Sequence, residues 1–116
     1  MNFPELTTVS RWLHFCVLEI RKTEAFAKWL DALSDLGGRS RILARIERLR
    51  GGNFGDWKSV GNGIGELRID AGPGYRVYFT KIGNEIVVLL AGGDKKSQIR
   101  DIRKALELAN QLEDLK

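Results

Sequence analysis

One stretch decides the fold of this chain: GELRIDAGPGYRVYFTKIGNEIVVLLAGGD, residues 65–94. In its first part, Leu67 and Ile69 alternate with Glu66 and Arg68, which is the period of a half-buried strand. The next five residues include an aspartate, two glycines and a proline, a composition typical of a turn. The sequence therefore predicts a strand that ends in a tight turn.

Two further strands follow that turn. Residues 75–81 again alternate between apolar and polar side chains. After a second turn at Gly83 and Asn84, residues 85–91 are apolar almost throughout, which favours an interior strand buried on both faces. The three strands together predict an antiparallel meander.

The segment before the meander predicts a strand and two helices. Residues 17–21 have the composition of a strand, and Thr23 is a suitable N-cap for an amphipathic helix. Gly37 and Gly38 separate this helix from a second one over residues 39–50, so the pair is expected to form a helical hairpin. The apolar residues expected to face inward in the second helix are Ile42, Leu43, Ile46 and Leu49.

The segment after the meander predicts one last helix. Ser97 is a suitable N-cap, and apolar residues then recur at helical spacing. Those expected in the core are Ile99, Ile102, Leu106 and Ala109. The predicted fold class is α+β, with an N-terminal strand, a helical hairpin, a three-stranded antiparallel meander forming one sheet, and a C-terminal helix.

Length and composition limit the classes of protein to consider. At 116 residues the chain is one domain, and 43% hydrophobic with 29% charged residues is ordinary for a globular protein. The 19 Lys and Arg against 15 Asp and Glu give a net charge of +4. This excess favours phosphate-bearing partners, although many small basic domains bind no nucleic acid.

No segment of the sequence predicts membrane insertion or export. The longest apolar run, residues 86–91, is too short to cross a bilayer, and Pro4 and Glu5 do not fit a signal peptide. Cys16 is the only cysteine and His14 the only histidine, which excludes an intramolecular disulfide and disfavours a zinc site. We therefore expect a cytoplasmic protein with no membrane partner, no metal and no cofactor.

Four segments, in this order and spacing, carry a resemblance to a known family. They are GNFGDWK at residues 52–58, ELRI at 66–69, GPGYRVYF at 72–79 and LLAGGDKKSQ at 89–98. The chain resembles the RelE/ParE superfamily, and most closely its HigB-like branch, often labelled addiction module killer proteins. The resemblance divides the chain into an N-terminal extension of uncertain role, residues 1–16, and a RelE/ParE-like toxin domain, residues 17–116.

The resemblance implies a function. Such a protein is the toxin of a type II toxin-antitoxin system, a metal-independent, ribosome-dependent mRNA endonuclease (mRNA interferase) that inhibits translation. Its implied partners are the ribosome, mRNA and a cognate antitoxin of the helix-turn-helix type. The sequence departs from the pattern at two points. Residues 1–16 precede the position where such toxins normally begin, and the best-known RelE toxins have a tyrosine in the last helix, whereas residues 97–116 contain neither Tyr nor His.

Two arginines are candidates for phosphate binding. Cleaving RNA without a metal requires a base for the 2′-hydroxyl, a cation for the charged phosphorane and an acid for the departing 5′-oxygen. Arg76 matches the arginine with which the superfamily holds phosphate, and Arg68 on the neighbouring strand can share its surface. The alternative is that both arginines face solvent and pair with Glu66 or Glu85.

Lysines on both sides of the sheet are candidates for proton transfer. Lys58 precedes the sheet, and Lys95 or Lys96 follows it, so the three can converge on one face from opposite ends. Any of them can act as base or acid, and the sequence does not distinguish these roles. Asp94 can either hold Lys95 or cap the last helix.

Further residues are candidates for RNA or ribosome binding. Tyr78 shares the predicted face of Arg76 and can stack on a nucleobase, or it is an ordinary amphipathic sheet residue. Gln98 can contact a base edge or a phosphate, or lie on the helix surface. A row of arginines on the second helix can bind ribosomal RNA, or face solvent, or pair within the chain: Arg41, Arg45 and Arg48.

Two other functions remain open at this point. The same fold in ParE-type proteins inhibits DNA gyrase and has no nuclease site, and the cations predicted on the sheet favour the nuclease over this alternative. A non-enzymatic nucleic-acid-binding regulatory module is the second alternative.

Overall fold

The computed structural model describes residues 17–114 and contains one five-stranded sheet. The strands lie in the order β1-β5-β4-β3-β2, and every neighbouring pair is antiparallel except β1 and β5. None of the helices in this part of the chain is long and apolar enough to cross a membrane. The elements are β1 Glu19–Lys22, α1 Glu24–Ala32, α2 Leu36–Arg50, β2 Trp57–Gly61, β3 Ile64–Ile69, β4 Tyr75–Ile82, β5 Ile86–Asp94, a 3₁₀ turn Lys95–Ser97, and α3 Gln98–Asp114.

Helices cover both faces of the sheet. The predicted hairpin of α1 and α2 packs on one face, where Val87 and Leu89 of β5 contribute to the core. Helix α3 packs on the other face, where Val88 and Leu90 lie with Ala105 in a second cluster. Strand β5 is therefore buried on both sides, as its continuous apolar sequence predicts. The predicted α+β fold is confirmed.

Strand β2 is the main addition to the predicted fold. It pairs with β3 at one edge of the sheet, with Trp57 opposite Leu67 and a register shift between Ser59 and Gly61. Four of its five residues are exposed, so neither face is consistently apolar. The sequence WKSVG consequently lacks the alternation that identifies a half-buried strand.

Helix α2 begins earlier than predicted. It starts at Leu36, because the side chain of Asp35 caps the helix by accepting a hydrogen bond of 3.0 Å from the amide of Gly38. The glycines predicted as a hairpin joint are therefore part of the first turn. A Cβ built on Gly38 would lie 2.4 Å from the ring of Tyr75, so the absence of a side chain there permits close packing.

The buried face of α3 matches the prediction in part, since Ile102 and Ala109 pack against the second core cluster as expected. Ile99 is 77% exposed, and the helix buries Asp101 and Ala105 instead. Asp94, rather than Ser97, provides the cap at this point, since its carboxylate accepts from the amides of Lys96 and Ser97 in the 3₁₀ turn. This settles the open role of Asp94 in favour of capping. In α2, Leu43 is likewise 44% exposed although the pattern placed it inward.

Candidate active site

The strand register places the predicted cations on the face of the sheet where α3 begins. Arg68 of β3 lies directly opposite Arg76 of β4. In the neighbouring row, Glu66 lies between Lys58 of β2 and Tyr78 of β4. Residues directly opposite each other in adjacent strands share a face, so these five side chains form one group. We call Arg68, Arg76 and Glu66 the arginine-glutamate cluster.

Glu66 is the centre of the cluster and is completely buried. Its Oε1 accepts a hydrogen bond of 3.1 Å from Nε of Arg68 and lies 3.9 Å from Nε of Arg76. Its Oε2 accepts 3.1 Å from the hydroxyl of Tyr78 and 3.0 Å from Nε2 of Gln98. Both oxygens therefore have partners, as a buried carboxylate requires.

The contacts of Glu66 determine its charge. Burial raises the pKa of this carboxyl, but hydrogen bonds from Gln98, Arg68 and Tyr78 and the charge of Arg76 outweigh burial. The pKa is consequently lowered, and Glu66 is ionised at neutral pH. The cluster contains two guanidinium cations and one carboxylate, which gives it a net positive charge.

Arg76 is more deeply buried than Arg68. Its side chain is 12% exposed, and its Nη1 donates a 3.2 Å hydrogen bond to the carbonyl of Tyr75. Its buried Nε makes no hydrogen bond within the described residues. The side chain of Arg68 is partly exposed at the edge of the cluster. One arginine is thus largely buried, while its neighbour is accessible to a ligand.

The predicted lysines lie on two sides of the cluster. Lys95 and Arg76 are both neighbours of Gly74, where a built Cβ would lie 3.6 Å from Cβ of Lys95 and 3.5 Å from Nη1 of Arg76. Lys58 is exposed on β2, next to Glu66 in the register. Lys96 is exposed in the 3₁₀ turn and lines an open groove of about 700 Å³ at the start of α3.

The structure corrects the interpretation of Tyr78. Its ring is fully buried beneath the start of α3, in the second core cluster. Burial, together with the neighbouring charge of Glu66, raises the pKa of its hydroxyl, which remains a hydrogen-bond donor. A ring in this position cannot stack on a nucleobase. Tyr78 instead donates a hydrogen bond to the buried carboxylate of Glu66.

We expect Tyr78→Phe to lower the free energy of unfolding by about 1–3 kcal/mol, because it removes a buried hydrogen bond to a charged group. Urea denaturation of the two proteins measures this difference. An exposed tyrosine that stacks on RNA would lose no measurable stability in this substitution. Equal stability of Tyr78→Phe and wild type would therefore contradict the structural role.

The arginine row on α2 divides into two groups. Arg41 donates 3.0 Å to the carbonyl of Asp70. Arg45 donates to the carbonyls of Arg68, Phe54 and Asp56 and so connects α2 to the loop before β2. Both residues thus make the bonds within the chain that the sequence left open as an alternative, and their RNA-binding role stays a prediction. Arg48 is exposed on the same helix.

Sequence reasoning underestimated two residues. The sequence indicated Glu66 only as a partner that would neutralise the arginines. For Gln98 it left open a base edge, a phosphate or the helix surface, whereas Gln98 contacts Glu66. The sequence did indicate the position of Glu66, because Glu66 and Arg68 are two residues apart on one strand and therefore share a face with Arg76 in the predicted register. The contact of Gln98 depends on how α3 packs, which the sequence does not indicate.

The chain was compared with known protein families, proteins and structures. The model of the family described as "Phage derived protein Gp49-like (DUF891)" matches residues 28–113. The chain belongs to this family. The match includes every candidate site residue of the Gp49-like domain. An uncharacterized protein of Haemophilus influenzae is 50% identical over 95 residues, which cover 82% of this chain and 96% of the relative.

The Gp49-like fold has a solved counterpart. It is similar to a mutant of the Escherichia coli toxin RelE in the free state, with a TM-score of 0.61 and 17% identity over 78% of this chain and 96% of that one. At this identity the likeness shows the fold alone. The predicted RelE-like fold is thereby confirmed, and the HigB-like branch stays a prediction.

Proposed function

We propose that this protein is the toxin of a type II toxin-antitoxin system of the HigB-like branch, and that it inhibits translation by cleaving mRNA on the ribosome. The observation that carries the proposal is the arginine-glutamate cluster with lysines on two sides of it. The likeness of its fold to RelE, a protein described as a toxin, supports the same conclusion.

The cluster has the groups that RNA cleavage without a metal requires. Arg76 and Arg68 bind the scissile phosphate and stabilise the extra negative charge of the phosphorane. One of the lysines Lys58 and Lys95 takes the proton of the 2′-hydroxyl as its oxygen attacks phosphorus, and the other protonates the 5′-oxygen as the P–O5′ bond breaks. The products are a 2′,3′-cyclic phosphate, or its hydrolysed form, and a 5′-hydroxyl.

The proposal includes the partners of the toxin. The ribosome presents the mRNA, and exposed cations contact RNA, chiefly Lys96 at the start of α3 and Arg48 on α2. A helix-turn-helix antitoxin neutralises the protein in the cytoplasm. These assignments follow from the proposed function and are tested with it.

Primer extension tests the proposed function. Purified protein is incubated with ribosomes and a defined mRNA, and an Arg76→Ala protein serves as the control. We expect cleavage by the wild type that depends on ribosomes and leaves a 5′-hydroxyl on the downstream fragment, as attack by the 2′-hydroxyl requires. Intact mRNA together with inhibition of DNA gyrase supercoiling would instead support the ParE-type function, and RNA binding without either effect would support a regulatory module.

We expect Lys58→Ala and Lys95→Ala each to reduce cleavage about tenfold, less than Arg76→Ala, because general acid and base groups can partly replace each other. The double variant should lose roughly 10²-fold or more. Lys28→Ala/Lys81→Ala is the matched control, since both lysines are exposed and lie away from the cluster. A Lys58→Ala/Lys95→Ala protein that cleaves at the wild-type rate would remove both lysines from the mechanism.

A further inference from the structure

A fully buried carboxylate is an unexpected component of a site for phosphate. Glu66 lies within 3.9 Å of both arginines and reduces the positive charge that a phosphate would meet. Electrostatics alone would favour a neutral or basic residue there. The attraction of phosphate therefore does not explain why a carboxylate lies beside the two arginines.

The pattern of contacts supplies that reason. A guanidinium carries five N–H donors, one on Nε and two on each Nη. Oε1 of Glu66 accepts a 3.1 Å hydrogen bond from Nε of Arg68 and forms a longer ion pair, 3.9 Å, with Nε of Arg76. Within residues 17–114, the Nη groups of Arg68 and Nη2 of Arg76 make no hydrogen bond with the protein, whereas Nη1 of Arg76 is bound to Tyr75. The donors best suited to a bidentate hold on phosphate are thus left unoccupied.

Charge repulsion gives a second reason. Arg68 and Arg76 are direct neighbours across two antiparallel strands, and like charges in such a pair repel each other. A single anionic oxygen near both Nε atoms offsets this repulsion. Tyr78 and Gln98 hold the other oxygen, so the carboxylate cannot rotate away.

We infer that Glu66 is a positioning residue, which holds the guanidinium groups of Arg68 and Arg76 side by side so that their Nη donors bind one phosphate of the RNA. This inference rests on the proposed function for the identity of the substrate. Glu66 itself does not contact RNA, because it is completely buried. Gln98 makes the arrangement dependent on the docking of α3 against the sheet.

Three possible roles of Glu66 predict different effects of the substitution Glu66→Gln. If Glu66 were only a counter-ion, removing its charge would strengthen RNA binding and would not slow cleavage. If Glu66 only stabilised the fold, Glu66→Gln would lower the stability of the protein and its affinity for RNA together. A positioning role predicts slower cleavage at saturation with binding that is unchanged or tighter, since misplacement of catalytic groups by about 1 Å costs on the order of 10²-fold.

The first experiment separates rate from binding. Single-turnover cleavage of mRNA at saturating ribosomes, and the Kd for ribosomes, are measured for wild type, Glu66→Gln and the control Glu85→Gln, which changes an exposed glutamate. We expect a 10- to 100-fold lower rate for Glu66→Gln, on the scale of such misplacement, with Kd equal or lower. A wild-type rate, or a rate loss matched by weaker binding, would overturn the inference. If Glu66→Gln does not fold, Glu66→Asp, which keeps the charge, takes its place. We again expect a lower cleavage rate without weaker binding to ribosomes.

The second experiment does not depend on catalysis. The Nε–H resonances of arginine are recorded by ¹⁵N NMR and assigned with Arg68→Lys and Arg76→Lys. We expect the Nε–H resonance of Arg68, which donates to Glu66, to be protected from exchange in the wild type and to lose that protection in Glu66→Gln. Added inorganic phosphate should shift the resonances of both arginines. Rapid exchange in the wild type would overturn the inference. Protection in a wild type that cleaves no mRNA would refute the proposed function while leaving the positioning of the arginines supported.

Discussion

Arg76→Ala is expected to abolish growth arrest and to lower the rate of mRNA cleavage by about 10²–10³-fold, the usual loss when one charge-stabilising donor is removed. The fold should remain intact, because Glu66 keeps the hydrogen bonds of Arg68, Tyr78 and Gln98. Growth after induced expression and primer extension on purified ribosomes measure the two effects. Antitoxin binding should be unchanged.

Two further variants sharpen this test. Arg21→Ala is the matched control, since Arg21 is also a strand arginine but is exposed at the far edge of the sheet and pairs with Glu19. Arg76→Lys keeps the charge and loses the planar fork, so we expect it to recover only part of the rate. Toxicity of Arg76→Ala within a few-fold of wild type would remove Arg76 from the site.

Arg45→Ala is expected to lower the free energy of unfolding by about 3 kcal/mol, because the charged guanidinium donates to three backbone carbonyls that would lose their partner. These carbonyls belong to Phe54, Asp56 and Arg68. The loop before β2 should become more mobile. Strand β2, which carries Lys58 at the edge of the sheet, should become more mobile as well. Guanidinium chloride denaturation measures the loss of stability.

Arg48→Ala is the control for this prediction. Arg48 lies three residues further along α2 and is exposed, so its removal should change stability by no more than about 0.5 kcal/mol. If Arg45→Ala were as stable as wild type but bound ribosomes more weakly, Arg45 would be an RNA contact and the assignment made from its hydrogen bonds would be wrong.

Local patterns were sufficient for most of the fold. The alternation in residues 65–69 and 75–81, the turn between them and the apolar run that follows predict the meander that the structure contains. Thr23 caps α1 as predicted, with its hydroxyl accepting from the amide of Phe26. These features were predictable because periods, turns and caps depend on residues close together in the chain. The pairing of Arg68 with Arg76 also follows from the register of one hairpin.

The remaining features were determined by tertiary packing. A helical period gives the spacing of apolar residues but not where the helix begins. Ile99 follows the 3₁₀ turn directly and is exposed, although Ile102 and Ala109 of the same period pack against the second core cluster. The buried face of α3 covers Tyr78 and brings Gln98 to Glu66. The sequence determined which charged residues share a strand face. Only the packing of α3 on the sheet decided which of them are buried, because burial depends on residues distant in the chain.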